Sequence, residues 1–209
     1  PSANHTRFEH SLGVYHLARK ACSLLGVEGE RALAVRAAAL LHDVGHGPYG
    51  HQTERIIERR LGRHHDEVTD LLGSGRLAAV LERHGLDPAE VAALVEGKGR
   101  LGQLVAGELD VDRMDYLVRD AHHTGVPYGT IDHSRLLAAL QFRGDDLVLS
   151  AGNVQTAEGT LVARALMNAT VYRHHVSRIA GAMLERAAER LLASDTAGVD
   201  IEQFRRMAD

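Results

Sequence analysis

The sequence predicts an all-α domain that carries one small β-hairpin, and three observations lead there. The core must rest on Leu, Val and Ala, because aromatic residues make up 4% of the chain and tryptophan is absent; that mixture favours helix. Apolar residues recur at helical spacing in segments bounded by cap signals. The strand-like exception is Phe142–Ser150, where Gly144-Asp145 precedes Leu147-Val148-Leu149.

The elements follow in order. Thr6-Arg7-Phe8-Glu9 reads as a capping box, with Thr6 as N-cap and Glu9 reaching back. The helix behind it is expected to run to Leu25, with an apolar stripe of Val14, Leu17, Ala18, Ala21 and Leu25, and to end at Gly26. A second, Ala/Leu-rich helix spans Glu30 to Asp43 and closes at Gly45. Gly47-Pro48 marks a turn, and a third helix covers Gln52 to Leu61. Short helices follow at Glu67–Leu72, Leu77–Leu81 and Asp87–Val95, the last with Asp87 at the cap and Pro88 at its first position. Leu101 to Leu117 reads as one helix, 125–129 as a loop, and Ser134–Leu140 as a short helix. After the hairpin, Thr156 to Leu192 is one long helix or two, broken near Gly181 if anywhere. The 209 residues are expected to form a single domain, the hairpin and long helices of 131–209 completing the bundle begun by 1–130.

Composition narrows the function classes. A net charge of -4 argues against a broad nucleic-acid-binding surface. There is no bilayer-length apolar run and no signal-peptide pattern, so a cytoplasmic protein is expected. A lone cysteine, Cys22, excludes an internal disulfide and reads as a buried thiol. The chain opens on Pro1 close to a strong motif and closes on 205–209 without a stop signal, so it is expected to be the core of a longer protein. Fourteen histidines are many for this length, and histidine is the commonest metal ligand.

Their placement carries chemistry. His42-Asp43 ends an apolar helix, where an unpartnered carboxylate would be costly to bury. Imidazole and carboxylate together suit a borderline or hard cation. His46 and His51 sit in the Gly/Pro turn that follows; a solvated loop is the bland alternative. Asp112, Tyr116 and Asp120 fall at i, i+4 and i+8, a stripe that His123 extends and that suits ligands better than packing. Arg7 and His10 lie one turn apart, and Arg164, Asn168 and Tyr172 form another i, i+4, i+8 stripe, which a solvated face would also explain. Arginine is suited to phosphate because it is planar and always charged. His64-His65-Asp66-Glu67 taken alone is more often surface than site, and His16, His84 and His133 carry no signal.

The order His10, His42-Asp43, Asp112 resembles the H…HD…D signature of the HD superfamily of metal-dependent phosphohydrolases. The stretches His5–Val14, His42–His51 and Asp110–Tyr116 resemble its deoxynucleoside triphosphate triphosphohydrolase (dGTPase-like) subgroup, and the likeness runs to about Leu192. The resemblance implies an HD helical bundle in which His10, His42, Asp43 and Asp112 hold one divalent transition metal (Mn, Fe, Zn, Ni or Co), with Mg accompanying the nucleotide. It places His46, His51, His65 and Asp66 beside the scissile phosphate; Asp66 departs from the family's usual Glu. Arg7, Arg113 and Arg164 would bind phosphate, Arg113 standing where some relatives have Lys. Tyr116 and Asp120 would face the sugar, Tyr172 and His174 match a late Tyr-x-His, and Asn168 occupies a variable pocket position. A dNTP substrate and a homo-oligomer are implied, without membrane or nucleic-acid partners. Another HD activity, a monophosphatase or phosphodiesterase, and a non-catalytic nucleotide-sensing module are the competing readings.

Overall fold

A computed structural model describes residues 4–194 and 198–207. Among them are twelve α-helices and one two-stranded sheet, so the expected class holds. Helix α1 (Arg7–Leu24) carries the capping box, with the Thr6 side chain accepting from Glu9 N and the Glu9 carboxylate accepting from Thr6 N. It packs on α2 (Gly29–Leu41) and α8 (Val111–Thr124), and α2 packs in turn on α6 (Pro88–Val95) and α7 (Gly99–Val105). Val14, Ala18, Val35, Ala38, Val91, Leu104 and Met114 meet inside this group, each at most 1% exposed. The many alanines let helix axes approach closely, which compensates for the scarcity of aromatic rings.

Between them, α3 (His51–Leu61), α4 (Thr69–Leu72) and α5 (Gly75–Arg83) wrap one side. α9 (His133–Ala139) leads directly into β1 (Leu140–Arg143), which pairs antiparallel with β2 (Asp146–Leu149). α10 (Val154–Met167) continues as one turn of π-helix, Asn168–Tyr172, before α11 (His175–Ala193). A small second core joins α3 to α11 and α12 (Ile201–Arg205) through Ile56, Ile57, Ala188 and Phe204. Arg205, its side chain 2% exposed, locks α12 down by an ion pair to Asp70 at 2.9 Å. No helix among the described residues is long and apolar enough to cross a membrane.

Two expectations are corrected. The segment 101–117 is two helices, because Asp110 caps a new one: its Oδ1 accepts from Arg113 N at 2.7 Å and its Oδ2 from Gly107 N at 3.0 Å. The break in the late helix lies at Arg173-His174, not Gly181. Gly181 is buried inside α11, where a side chain would strike Gln52.

Leu104 is fully buried between α7 and its neighbours. Leu104→Ala should therefore lower the unfolding free energy by about 2–5 kcal/mol. Urea denaturation followed by circular dichroism would measure it.

Candidate metal centre

α2 stops at Leu41, and His42 and Asp43 occupy the turn that follows. The His42 ring is anchored by Nδ1 donating to Ala39 O at 2.9 Å, which leaves Nε2 as a lone pair. His10, buried on α1, is anchored likewise: Nδ1 meets Asp115 Oδ2 at 2.8 Å. The two free Nε2 atoms face each other at 3.2 Å. Asp112 Oδ1 lies 3.0 Å from His10 Nε2 and 3.4 Å from His42 Nε2, and Asp43 Oδ1 lies 3.3 Å from His42 Nε2. Ligand atoms bound to one ion at about 2.0–2.2 Å stand roughly 3.0–3.5 Å apart. The donor set therefore fits a divalent cation: two imidazoles with fixed tautomers and two carboxylates aimed at one point.

A layer behind the ligands holds them. Arg119 grips Asp115 with Nε on Oδ2 at 2.8 Å and Nη2 on Oδ1 at 2.9 Å. Gly13 on α1 makes room, since a Cβ there would overlap the Asp115 carboxylate. Burial works against protonating His10, but the Asp112 and Asp115 carboxylates outweigh it and lift the ring to about 9. Burial opposes His42 too, and Asp112 and Asp43 again raise it. Against their own burial, Asp43 (through His46 and His42) and Asp112 (through His10 and His42) are held well below the usual carboxylate range. The centre is a negative seat suited to a cation, or to protons in its place.

Beside it lie three further histidines. The His46 ring stacks on His65 with centroids 4.1 Å apart and meets His51 edge-on at 4.5 Å. His46 Nε2 approaches Asp43 Oδ1 at 3.4 Å. Glu54, one turn into α3, serves both others: Oε2 meets His51 Nδ1 at 2.7 Å, and Oε1 meets His65 Nδ1. Those contacts free the two Nε2 atoms for other partners. The turn carrying His46 and His51 is tight, with Tyr49 at φ 60°. Gly50 lies against the Arg7 guanidinium where any side chain would collide. Arg7 Nη1 in turn reaches Asp43 Oδ2 at 3.5 Å.

The four seat residues, the three further histidines and Arg7 line one cavity of about 870 Å³. Its far wall is built by α8 and the π-helical turn. Arg113 is tied to Asp110 Oδ2 at 2.7 Å, and burial lifts Asp110 to about 6 against that pull. Asp120 accepts from Tyr172 Oη at 2.8 Å and meets His5 Nε2 at 2.7 Å. Tyr116 and Tyr172 meet edge-on at 6.0 Å. Arg164 and Asn168 complete the wall, with Asn168 Nδ2 donating to Arg164 O at 3.0 Å. A π-turn at such a place re-aims side chains into a pocket.

The structure thus brings together His10, His42, Asp43 and Asp112, and beside them His46, His51 and His65. Asp66 is exposed on the cavity lining, and the carboxylate that meets His65 is Glu54. His174 caps α11 through Val176 N. The sequence reading missed Asp115, Arg119, Glu54 and His5. Asp115 and Arg119 had a signal in their i, i+4 spacing inside the Asp-rich motif, and Glu54 in its position three residues after His51.

Asp115→Asn should weaken divalent-metal affinity about 10–100-fold, because His10 loses the anion that orients it. Isothermal titration calorimetry would read this. Metal must also displace the proton that His10 holds below about 9. Affinity should therefore rise with pH up to that point and level off above it. Binding at pH 7 should release protons, measured as a buffer-dependent heat.

The family model for the HD domain matches residues 7–120, and that for an HD associated region matches residues 131–209. A Methanocaldococcus jannaschii protein is 34% identical over the whole chain, which spans 44% of it. A Dictyostelium discoideum protein named deoxynucleoside triphosphate triphosphohydrolase SAMHD1 homolog is 29% identical over the whole chain, which spans 45% of it. The crystal structure of a Bacteroides thetaiotaomicron phosphohydrolase superposes on 98% of this chain and 53% of its own, with a TM-score of 0.75 at 33% identity. The chain thus spans about half the length of the relatives it matches. With the HD model covering residues 7–120, more than half its length, the chain belongs to the HD domain family.

Proposed function

We propose that this protein is a metal-dependent phosphohydrolase that cleaves deoxynucleoside triphosphates into deoxynucleoside and inorganic triphosphate. One observation carries the reading. A four-ligand metal seat, a histidine cluster, three arginines and a Tyr/Asp wall all line a single cavity of about 870 Å³. That volume lies in the range of small-molecule sites. The likeness to the Dictyostelium triphosphohydrolase supports the substrate class, and the likeness to the Bacteroides phosphohydrolase supports the reaction class.

His10, His42, Asp43 and Asp112 would hold one divalent transition ion. Once bound, it would supply positive charge to the phosphate oxygens and acidify water. Arg7, Arg113 and Arg164 would bind the triphosphate and stabilise charge as it develops on the oxygens. Arg113 would exchange Asp110 for phosphate as its partner. Tyr116, Tyr172 and Asn168 would flank the nucleoside, and Asp120, held by His5 and Tyr172, would accept from a sugar hydroxyl. His51 or His65, with Nδ1 on Glu54 and Nε2 free, would protonate the departing 5′-oxygen. His46 would buttress both rings, and Asp66 would sit at the cavity mouth. Leu161, Val162, Ile179 and Met183 leave an exposed apolar face on α10 and α11, and copies of the chain would associate through it.

Incubation of the Mn-loaded protein with each dNTP should release deoxynucleoside and triphosphate, separable by ion-exchange chromatography. Release of orthophosphate alone would point to a monophosphatase instead. Replacing the acid, in His51→Ala or His65→Ala, should lower kcat about 10²–10⁴-fold. Unchanged turnover in either variant removes that histidine from the role.

A further inference from the structure

Next to the four-ligand seat the fold assembles a second set of ligating side chains. His46, His51, Glu54 and His65 each bring a ligand atom within 4.8 Å of all the others. They come from the turn after α2, the first turn of α3 and the loop after α3, so three separate backbone segments converge. The His46 side chain is 4% exposed, and its Nδ1 is buried with no hydrogen-bond partner among the described residues. Buried nitrogens are almost always satisfied, so an orphan inside a ligating cluster points to an absent partner. The Glu54 carboxylate faces two of the three rings and supplies the anion that a cation site needs.

Three imidazoles and one carboxylate form a nitrogen-rich set. Such a set favours zinc and its neighbours over Mg, which prefers oxygen ligands. Atoms on one tetrahedral ion lie about 3.3–3.5 Å apart, so a separation of 4.8 Å closes by side-chain rotation. His51 and His65 have that freedom, being 69% and 33% exposed. The same exposure, and the two Glu54 contacts that must open, make this the weaker of the two sites. Asp43 Oδ1 lies between the centres, within 3.4 Å of both His42 Nε2 and His46 Nε2. Its negative charge would soften the repulsion between two bound cations.

We infer that His46, His51, Glu54 and His65 form a second, weaker site for a borderline divalent ion such as zinc, and that filling it stops hydrolysis. The inhibition rests on the proposed function: a His51 or His65 Nε2 that binds the ion cannot carry the proton meant for the leaving oxygen, so the ion would occupy the proposed acids.

The test counts zinc. Metal-stripped protein is equilibrated with rising zinc, and bound metal is measured by plasma mass spectrometry after equilibrium dialysis. Two ions per chain are expected, the second binding at higher zinc concentration. The double variant His51→Ala/Glu54→Gln should hold one. Should that variant fail to fold, cobalt titration of the unaltered protein decides instead. A second equivalent should then bring the visible absorption of a four-coordinate nitrogen-ligated ion. One ion per chain in excess zinc, or a second ion that survives both substitutions, overturns the site. With Mn in the first site, zinc at the concentration that fills the second should cut dNTP turnover about tenfold or more; undiminished turnover overturns the inhibition. If no nucleotide is hydrolysed at all, the proposed function falls, and the zinc count still upholds or overturns the second site.

Discussion

Two imidazole nitrogens face each other across 3.2 Å between His10 and His42, each with its other nitrogen already committed. Two lone pairs cannot rest at that distance without a positive charge between them. Asp112 and Asp43 bring negative charge to the same point, which strengthens the demand. Much of the rest of the molecule can be understood as holding this arrangement. Asp115 and Arg119 fix one ring, Ala39 O fixes the other, and the α1–α2–α8 packing sets the distance between them. A buried cluster of this kind is costly when half-satisfied, so it must be filled by an ion or by protons.

The helices that build the seat also build the cavity. α8 presents Asp112 to the seat, Asp115 to the layer behind it, and Tyr116 and Asp120 to the opposite wall. One helix thus sets the separation between the candidate metal seat and the proposed nucleoside end. The π-helical turn at 168–172 supplies the other half of that wall and lets Tyr172 reach Asp120. The turn at 45–51 places His46 and His51 over the seat, and Arg7 fills the space that Gly50 leaves. The triphosphate's proposed position follows from these constraints, between the arginines and the histidine cluster.

The sequence displayed some of this and concealed the rest. His42-Asp43 stood out because a charged pair ended an apolar helix. Asp112, Tyr116 and Asp120 stood out because three polar residues shared one stripe. Arg7, His10, His51, Arg164, Asn168 and Tyr172 were reached through spacing or likeness, and all line the cavity. Glu54 and Asp115 carried only local spacing signals, because their importance lies in contacts 11 and 105 residues away in sequence. For the same reason the resemblance pointed to Asp66 beside His65, whereas the carboxylate that meets His65 is Glu54 of α3. The split between α7 and α8 was masked by continuous apolar spacing, although Asp110 is a strong cap residue. The late break was attributed to Gly181, yet a helix tolerates glycine, and here the absent side chain makes room for Gln52.

The central claim is that His10, His42, Asp43 and Asp112 seat a single ion that organises the site. Anomalous diffraction from crystals of Mn-loaded protein, collected at the metal absorption edge, tests it most directly. The account predicts a peak equidistant from His10 Nε2 and His42 Nε2, with Asp43 and Asp112 oxygens at about 2.0–2.2 Å. A peak bound elsewhere, with those two imidazole nitrogens still facing each other uncoordinated, would contradict it.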